Sequence, residues 1–369
     1  MHTRIGAFLS TFHEPGQDPH LAIHRELDLV ETLDRLNYDE AWFGEHQSHG
    51  WALLGAPETL IAAAAQRTRQ IKLANGVVPL PMHHPFHVSA RAVHLDHLTR
   101  GRYILGVGPG VPFDAAIFGV DRAAARTRFD EALPVVLDLV NGEKRVSEKT
   151  DWFELHDAQL QLPRYSPAGI EVAVATNGFT KTSPVLAGRH GLSLVSFAQF
   201  FAPVPPGITQ IALAQQWQYA EESAQEHGRA IDRRDWRVVL PVHVAATRKE
   251  AFDEVREGFD RWVFEYFGGA VGHNVGGADT SRSRVLEEQV EAGSILVGSV
   301  DDVVDGLKAL QERTGGFGTL LVYVSDWASW AATDRSMELL ARYVAPHFTG
   351  TTDRPREAAG HVIAARARS

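Results

Sequence analysis

The sequence predicts an α/β protein whose eight parallel strands close into a (β/α)8, or TIM, barrel with insertions. Three observations lead to it. Short runs rich in Val, Ile, Leu, Phe and Ala alternate with longer stretches of helical period, the order that a parallel sheet with crossover helices requires. There are eight such runs, which suits a closed ring better than an open sheet. The 369 residues, 44% of them hydrophobic, suffice for one large core without a second domain.

In chain order, strands are expected at 4–10, 40–45, 71–78, 103–108, 170–176, 192–197, 237–246 and 319–324. Between them, helices are expected at 20–36, 57–68, 86–98, 123–141, 183–190, 208–228, 248–266 and 301–313, with a last one at 334–345 closing the ring. Local signals support several boundaries. Pro57-Glu58 opens the second helix, because proline presets the helical φ and glutamate faces the positive end of the helix dipole. Gly101 follows the helix ending at Arg100, and Asp301-Asp302 put negative charge at a helix start. One barrel domain over 1–348 is expected, with insertions near 142–169 and 267–300 that exceed ordinary loop length and suit lids or pocket walls. The segment 349–369 lacks a clear apolar face and is expected to be disordered, although 356–367 has the composition of a helix that docks on a partner. The small side chains of Ala62 to Ala65 would let another helix approach closely, from within the chain or from a second subunit, and a homodimer is expected.

Composition narrows the function. The 46 acidic residues outnumber the 36 basic ones, for a formal charge of −10, and no basic run offers a footprint for a phosphate backbone, so no nucleic-acid partner is expected. Cysteine is absent, which rules out disulfides, thiolate metal sites and cysteine nucleophiles and leaves redox chemistry to a bound cofactor. No apolar run approaches the ~18 residues of a spanning helix, and the residues before the strand at Ile5 to Leu9 have no signal-peptide layout. A cytoplasmic enzyme with no membrane partner is expected.

The residues with chemical potential stand where strands end, the face on which barrel enzymes place their active sites. The second strand runs Glu40-Ala41-Trp42-Phe43-Gly44-Glu45-His46, an apolar run ending in an acid and an imidazole. An imidazole titrates near ~6.5, so it gives or takes a proton at working pH, and a neighbouring carboxylate can fix its tautomer. The plainer alternative for His46 is a hydrogen-bonded cap at a strand end. The third strand continues into ANGVVPLPMHHP (74–85), where a glycine lets a group approach the backbone and the prolines stop regular pairing. A flat ligand can lie there against Asn75, Gly76 and Val77. His83 and His87 are spaced to share a helix face as a metal pair. However, Pro85 disfavours a helical His84, and neither an HExxH arrangement nor a matched acidic ligand accompanies them, so no metal site is expected.

Two further segments look like ligand loops. GVGPG (106–110) lacks the GxGxxG spacing, and Pro112-Phe113 do not begin a dinucleotide-binding helix. After the fifth strand, Thr176-Asn177-Gly178-Phe179-Thr180-Lys181-Thr182-Ser183-Pro184 leads into a helix whose free amides and dipole make an anion site. An ordinary cap by Thr182 or Ser183 is the simpler alternative. Trp51, Phe113, Phe179, Phe200, Phe201, Trp327 and Trp330 gather in the same loops and suit a water-poor pocket for an apolar substrate, with some of them plain core.

Taken in order, Glu45-His46, NGVVPLPMHHP (75–85), LDHLTRGRYILGVGPG (95–110) and SPVLAGRHG (183–191) resemble the bacterial luciferase-like flavin monooxygenases over nearly the whole barrel. TDWFELHDAQLQL (150–162) and TGGFGTLLVYVSDWASWAATDRSMELLARYVAPHF (314–348) are most similar to the limonene monooxygenase-like and diketocamphane monooxygenase-like branch. The resemblance implies reduced FMN, supplied by a separate flavin reductase, that reacts with O2 to give a flavin hydroperoxide. One oxygen atom would then enter a small apolar substrate by epoxidation, Baeyer–Villiger insertion or heteroatom oxidation. By the family pattern, His46, with Glu45 before it, matches the active-site histidine beside the flavin, and Asn75, Gly76 and Val77 match the segment touching the isoalloxazine. Phe179, Thr180 and Ser183 fall in the phosphate loop, with Thr182 among them, while Trp51, Phe113 and Trp327 are expected to wall the substrate pocket.

Two positions depart from the pattern. Pro109 stands where luciferase proper has an arginine for the flavin phosphate, and Gln47 where many relatives carry a second histidine. Three other readings stay open: a deazaflavin-dependent oxidoreductase on the same fold, a metal-dependent barrel hydrolase using His83, His84 and His87, and a flavin-binding protein without turnover.

Overall fold

The apolar runs become buried strands in the computed structural model, which describes residues 2–10, 12–198, 210–270 and 282–366. The strands are β1 (Arg4–Leu9), β2 (Glu40–Phe43), β3 (Lys72–Asn75), β4 (Tyr103–Gly108), β5 (Glu171–Thr176), β6 (Ser193–Phe197), β7 (Trp236–Val244) and β8 (Thr319–Val324). Each pairs in parallel with the next, and β8 returns to β1 in the register Arg4↔Thr319, closing the ring. The structure is therefore the expected (β/α)8 barrel, with all eight strands at or near their expected places.

Successive strand residues alternate between two clusters, as the pleat demands. Ala7, Leu9, Phe43, Leu73, Leu105 and Val174 pack with Leu29, Val30, Leu33 and Ile61 of the surrounding helices. Phe8, Trp42, Ala74, Ile104, Val195, Val239 and Leu321 meet one another as a separate cluster that fills the interior. Each fully buried Leu or Ile in these layers contributes about 1.5–3 kcal/mol. Caps set the helix ends: Leu21 N donates to Asp18 Oδ1 at 3.1 Å to start Pro19–Arg35, and Ser299 with Asp302 forms a capping box on Val300–Thr314.

The amino ends of the strands hold an ionic plug built around the buried Arg237 and Glu40, with the partly exposed Glu171 and Lys72 at its edge. Arg237 of β7 donates through Nε and a terminal nitrogen to both oxygens of Glu40 at 2.7 and 2.8 Å and to Glu171 at 2.7 Å. Trp42 Nε1 adds a bond to Glu40 at 2.8 Å, and Lys72 Nζ reaches Glu171 at 3.0 Å. Burial alone would raise the Glu171 carboxyl, but Arg237 and Lys72 hold it down at about 2. Burial likewise works against the Arg237 cation, and its two carboxylates raise its pKa above the usual arginine range.

Several elements differ from expectation. The insertion after the helix Arg122–Asn141 folds as an antiparallel hairpin of Val146–Lys149 and Glu154–Ala158. In the second insertion, Val285–Glu291 is helical and Leu296–Gly298 pairs in parallel with β7, while Gly276, Gly277 and Ser281, like Phe200 and Phe201, lie outside the described residues. The helix expected at 248–266 is α-helical over Arg248–Asp260 and π-helical over Arg261–Ala270. A short helix, Pro112–Ile117, has no counterpart among the expected elements, and Pro112 takes its first turn, where the missing N–H costs nothing. The segment expected to be disordered contains the helix Asp353–Arg366, whose Arg, Glu and Ala residues have high intrinsic helix propensity despite the missing apolar face. Among the described residues no helix is long and apolar enough to cross a membrane.

Candidate active site

β2 ends at Phe43, two residues earlier than its sequence suggests, so Glu45 and His46 stand in the loop just past the strand. That loop is tied down by Asp114 from the short helix after β4. His46 Nδ1–H donates to Asp114 Oδ2 at 2.8 Å, while Asp114 Oδ1 accepts from Gln47 N at 3.0 Å and Ser48 Oγ at 2.6 Å. Burial by itself would raise the Asp114 carboxyl, yet these bonds from His46, Ser48 and Gln47 bring it below its ordinary value. An ionised Asp114 can only accept, which places the proton of His46 on Nδ1 and leaves Nε2 for a ligand.

Glu45 is buried and faces another partner: His83 Nε2–H donates to its Oε1 at 2.6 Å. Gln47 Nε2 donates to the same oxygen at 3.3 Å and to Gly55 O at 2.8 Å. Gln47 thus joins the Glu45 and Asp114 networks. The metal pair imagined for His83 and His87 does not form, because the helix starts at Pro85: His83 lies before it, and His84 is its N-cap, accepting from Phe86 N at 3.3 Å. Among the described residues, the cluster whose ligand atoms come within 4.8 Å of one another is instead His46, His49 and Asp114. The Asp114 oxygens there are already committed to three hydrogen bonds.

His49 was not singled out by the sequence. It sits at a left-handed φ of 59° in the turn after Ser48, a conformation that histidine adopts more readily than most residues. Its ring packs 5.0 Å from Phe113, 5.0 Å from Tyr266 and 5.9 Å from Phe12. His46 stacks on Phe12 at 5.3 Å and on Phe113 at 6.1 Å. Tyr266, on the π-helix, also meets Phe12 at 4.4 Å and Trp51 at 5.9 Å. Trp51 and Phe113 therefore join the His46 group. Trp327 is buried, with its ring 6.4 Å from Trp262 and 6.2 Å from His243. Phe179 is 44% exposed.

At the end of β3, Asn75 is buried and accepts from Tyr103 Oη at 2.5 Å, and Gly76 N donates to Phe43 O at 2.7 Å. The Gly76–Val77 peptide is cis. A Cβ on Gly76 would lie 2.8 Å from the Phe8 ring, and one on Gly106 of β4 would lie 2.0 Å from Asn75 O, so both positions need glycine to let the strands and rings close up. After β5, the helix Thr182–His190 has Lys181 as its N-cap and no side-chain cap. Neither Thr182 nor Ser183 performs the capping role that was the simpler alternative, and the helix start is left without a side-chain acceptor.

Between the ends of β1 and β8 a second ionic group is buried. His13 Nε2 is 3.2 Å from Glu26 and Nδ1 is 3.0 Å from Asp326, which also accepts from Gln17 Nε2 at 3.0 Å. Burial works against the imidazolium, but the two carboxylates outweigh it and push His13 up to about 9.

Residues 3–316 match the family described as luciferase-like monooxygenases. The chain is 48% identical over 353 residues to 4-hydroxyprotoasukamycin monooxygenase of Streptomyces nodosus subsp. asukaensis, covering 95% of this chain and 93% of that one. It is 42% identical over 347 residues to limonene 1,2-monooxygenase of Rhodococcus erythropolis, covering 94% and 87%. A solved structure, the oxygenating constituent of 3,6-diketocamphane monooxygenase from Pseudomonas putida, is described as a type II Baeyer–Villiger monooxygenase in complex with FMN. It superposes with a TM-score of 0.78 at 28% identity over 94% of this chain and 98% of its own.

Proposed function

The chain belongs to the luciferase-like monooxygenase family and is an oxidoreductase, and we propose that it takes reduced FMN from a separate reductase and transfers one atom of O2 to a small, largely apolar substrate. The observation that carries this reading is the His46–Asp114 pair set among Phe12, Phe113 and Tyr266, a proton-handling group inside an aromatic wall.

Two features suit FMN. The uncapped start of Thr182–His190, with Thr180 and Ser183 beside it, offers backbone amides to a phosphate, in place of the arginine lost at Pro109. The Asn75-Gly76-Val77 stretch, fixed by the Tyr103 bond to Asn75 and the Gly76 N bond to Phe43 O, is the segment we assign to the flat ring. When bound, reduced FMN supplies the electrons with which O2 is activated. Asp114 holds the Nδ1 proton of His46, so Nε2 is the atom that takes up or hands over a proton during turnover. Phe12, Phe113, Trp51 and Tyr266 keep out water that would otherwise carry protons away. Glu45 is tied to His83 and positions the loop.

Product analysis with reduced FMN, O2 and a panel of terpenes, cyclic ketones and thioethers tests this reading. In His46→Ala, FMN binding is expected to persist while turnover falls about 10²–10⁴-fold and product per NADH drops. An unchanged product yield per NADH in that variant would remove His46 from the mechanism.

A further inference from the structure

We infer that His49 recognises a hydrogen-bonding oxygen on the substrate, so that the substrate class is an apolar frame carrying a hydroxyl or carbonyl group. This rests on the proposed reading only for placing the substrate beside the His46 group.

Three observations carry it. Both ring nitrogens of His49 are buried and neither has a hydrogen-bond partner. A buried polar atom left so is costly, and its usual explanation is a partner that arrives with a ligand. Three neighbouring polar groups, His46 Nδ1, Ser48 Oγ and Gln47 N, are spent on Asp114 rather than on His49. The ring is held among Phe12, Phe113, Tyr266 and His46, where a purely hydrocarbon wall would have been served by another aromatic residue.

The charge state agrees with the geometry. Burial first, and then the nearby His46, lower the His49 pKa to about 4 against the pull of Asp114, so the ring is neutral at pH 7. A neutral imidazole offers one N–H donor and one lone pair. That pair matches a hydroxyl, which can both accept and donate, and its donor half matches a carbonyl. The left-handed backbone aims the ring and makes the turn selective about what replaces it.

The test is equilibrium binding to the full chain, without turnover, of three probes of similar size: cyclohexanol, cyclohexanone and methylcyclohexane. Histidine-ring NMR reports the site, and His49→Phe and His49→Asn are the variants. The two oxygenated probes are expected to shift the His49 ring signals and to bind about 10-fold more tightly than the hydrocarbon. His49→Phe, which keeps a ring without nitrogens, should erase that preference. His49→Asn, which tolerates a left-handed backbone and keeps a donor and an acceptor, should retain part of it. Unshifted His49 signals with the oxygenated probes, or a preference that survives in His49→Phe, overturns the inference. Should His49→Phe fail to fold, the wild-type spectra and His49→Asn still decide. Because no oxygen transfer is read, a failure here leaves the monooxygenase reading standing, and a failure of oxygen transfer leaves this result intact.

Discussion

The two ends of the barrel use the same kinds of residue to opposite effect. At the amino ends of the strands, Arg237, Glu40, Glu171, Lys72 and Trp42 join in one connected set of bonds of 2.7–3.0 Å. At the carboxyl ends, Asp114 fixes one nitrogen of His46 and leaves the other, and His49 keeps both of its nitrogens unpaired. A saturated set of polar groups specifies geometry, whereas an unsaturated one is available for chemistry. The contrast separates a scaffold of paired polar groups below from a site with unpaired ones above.

Three perturbations sharpen or break that contrast. The largest effect is expected from Arg237→Met, which strands Glu40 without a counter-charge and should cost about 3–5 kcal/mol in denaturant unfolding. A loss under about 1 kcal/mol would mean that the plug is not saturated in the sense argued. Next comes pH. The His13 value of about 9 lies above the ordinary 6.5, so its contribution is intact below about pH 6.5 and disappears as pH rises through about 9. That loss is on the order of 2–3 kcal/mol and should be absent in His13→Gln. Glu171, held near 2, and Arg237, raised above the usual arginine range, keep their charges over this window. The smallest effect is expected from Asp114→Asn, which removes the acceptor that fixes the His46 tautomer and should lower kcat about 10–100-fold with little change in KM. An unaltered kcat–pH profile in that variant would show that the pair is structural.

What the sequence made legible follows from how far each signal reaches. The eight strands are continuous runs of four to nine mostly apolar residues, buried on both faces, and the positions of His46, Asn75 and Gly76 at or just past the strand ends follow from them. Partners far apart were not legible. Asp114 lies 68 residues from His46 and His83 lies 38 from Glu45, and no local pattern marks either. His49 escaped notice because its importance comes from a left-handed turn that faces it inward, and the spacing of the sequence does not encode that. The plug escaped too, although Glu40, Lys72, Glu171 and Arg237 stand at the heads of their strands, because a lone charge beside an apolar run reads as a solvated end. Leu296–Gly298 is three residues long and gives no periodic signal at all.

The close contact of Gly106 with Asn75 O has a wider meaning. The inner contour of the site is moulded partly by a methyl group that a neighbouring strand lacks. Inventories built from acids, bases and donors will pass over such a residue. A survey of natural or engineered variants should therefore count a one-carbon gain in the barrel wall as an edit of the active site, on equal footing with the loss of an imidazole.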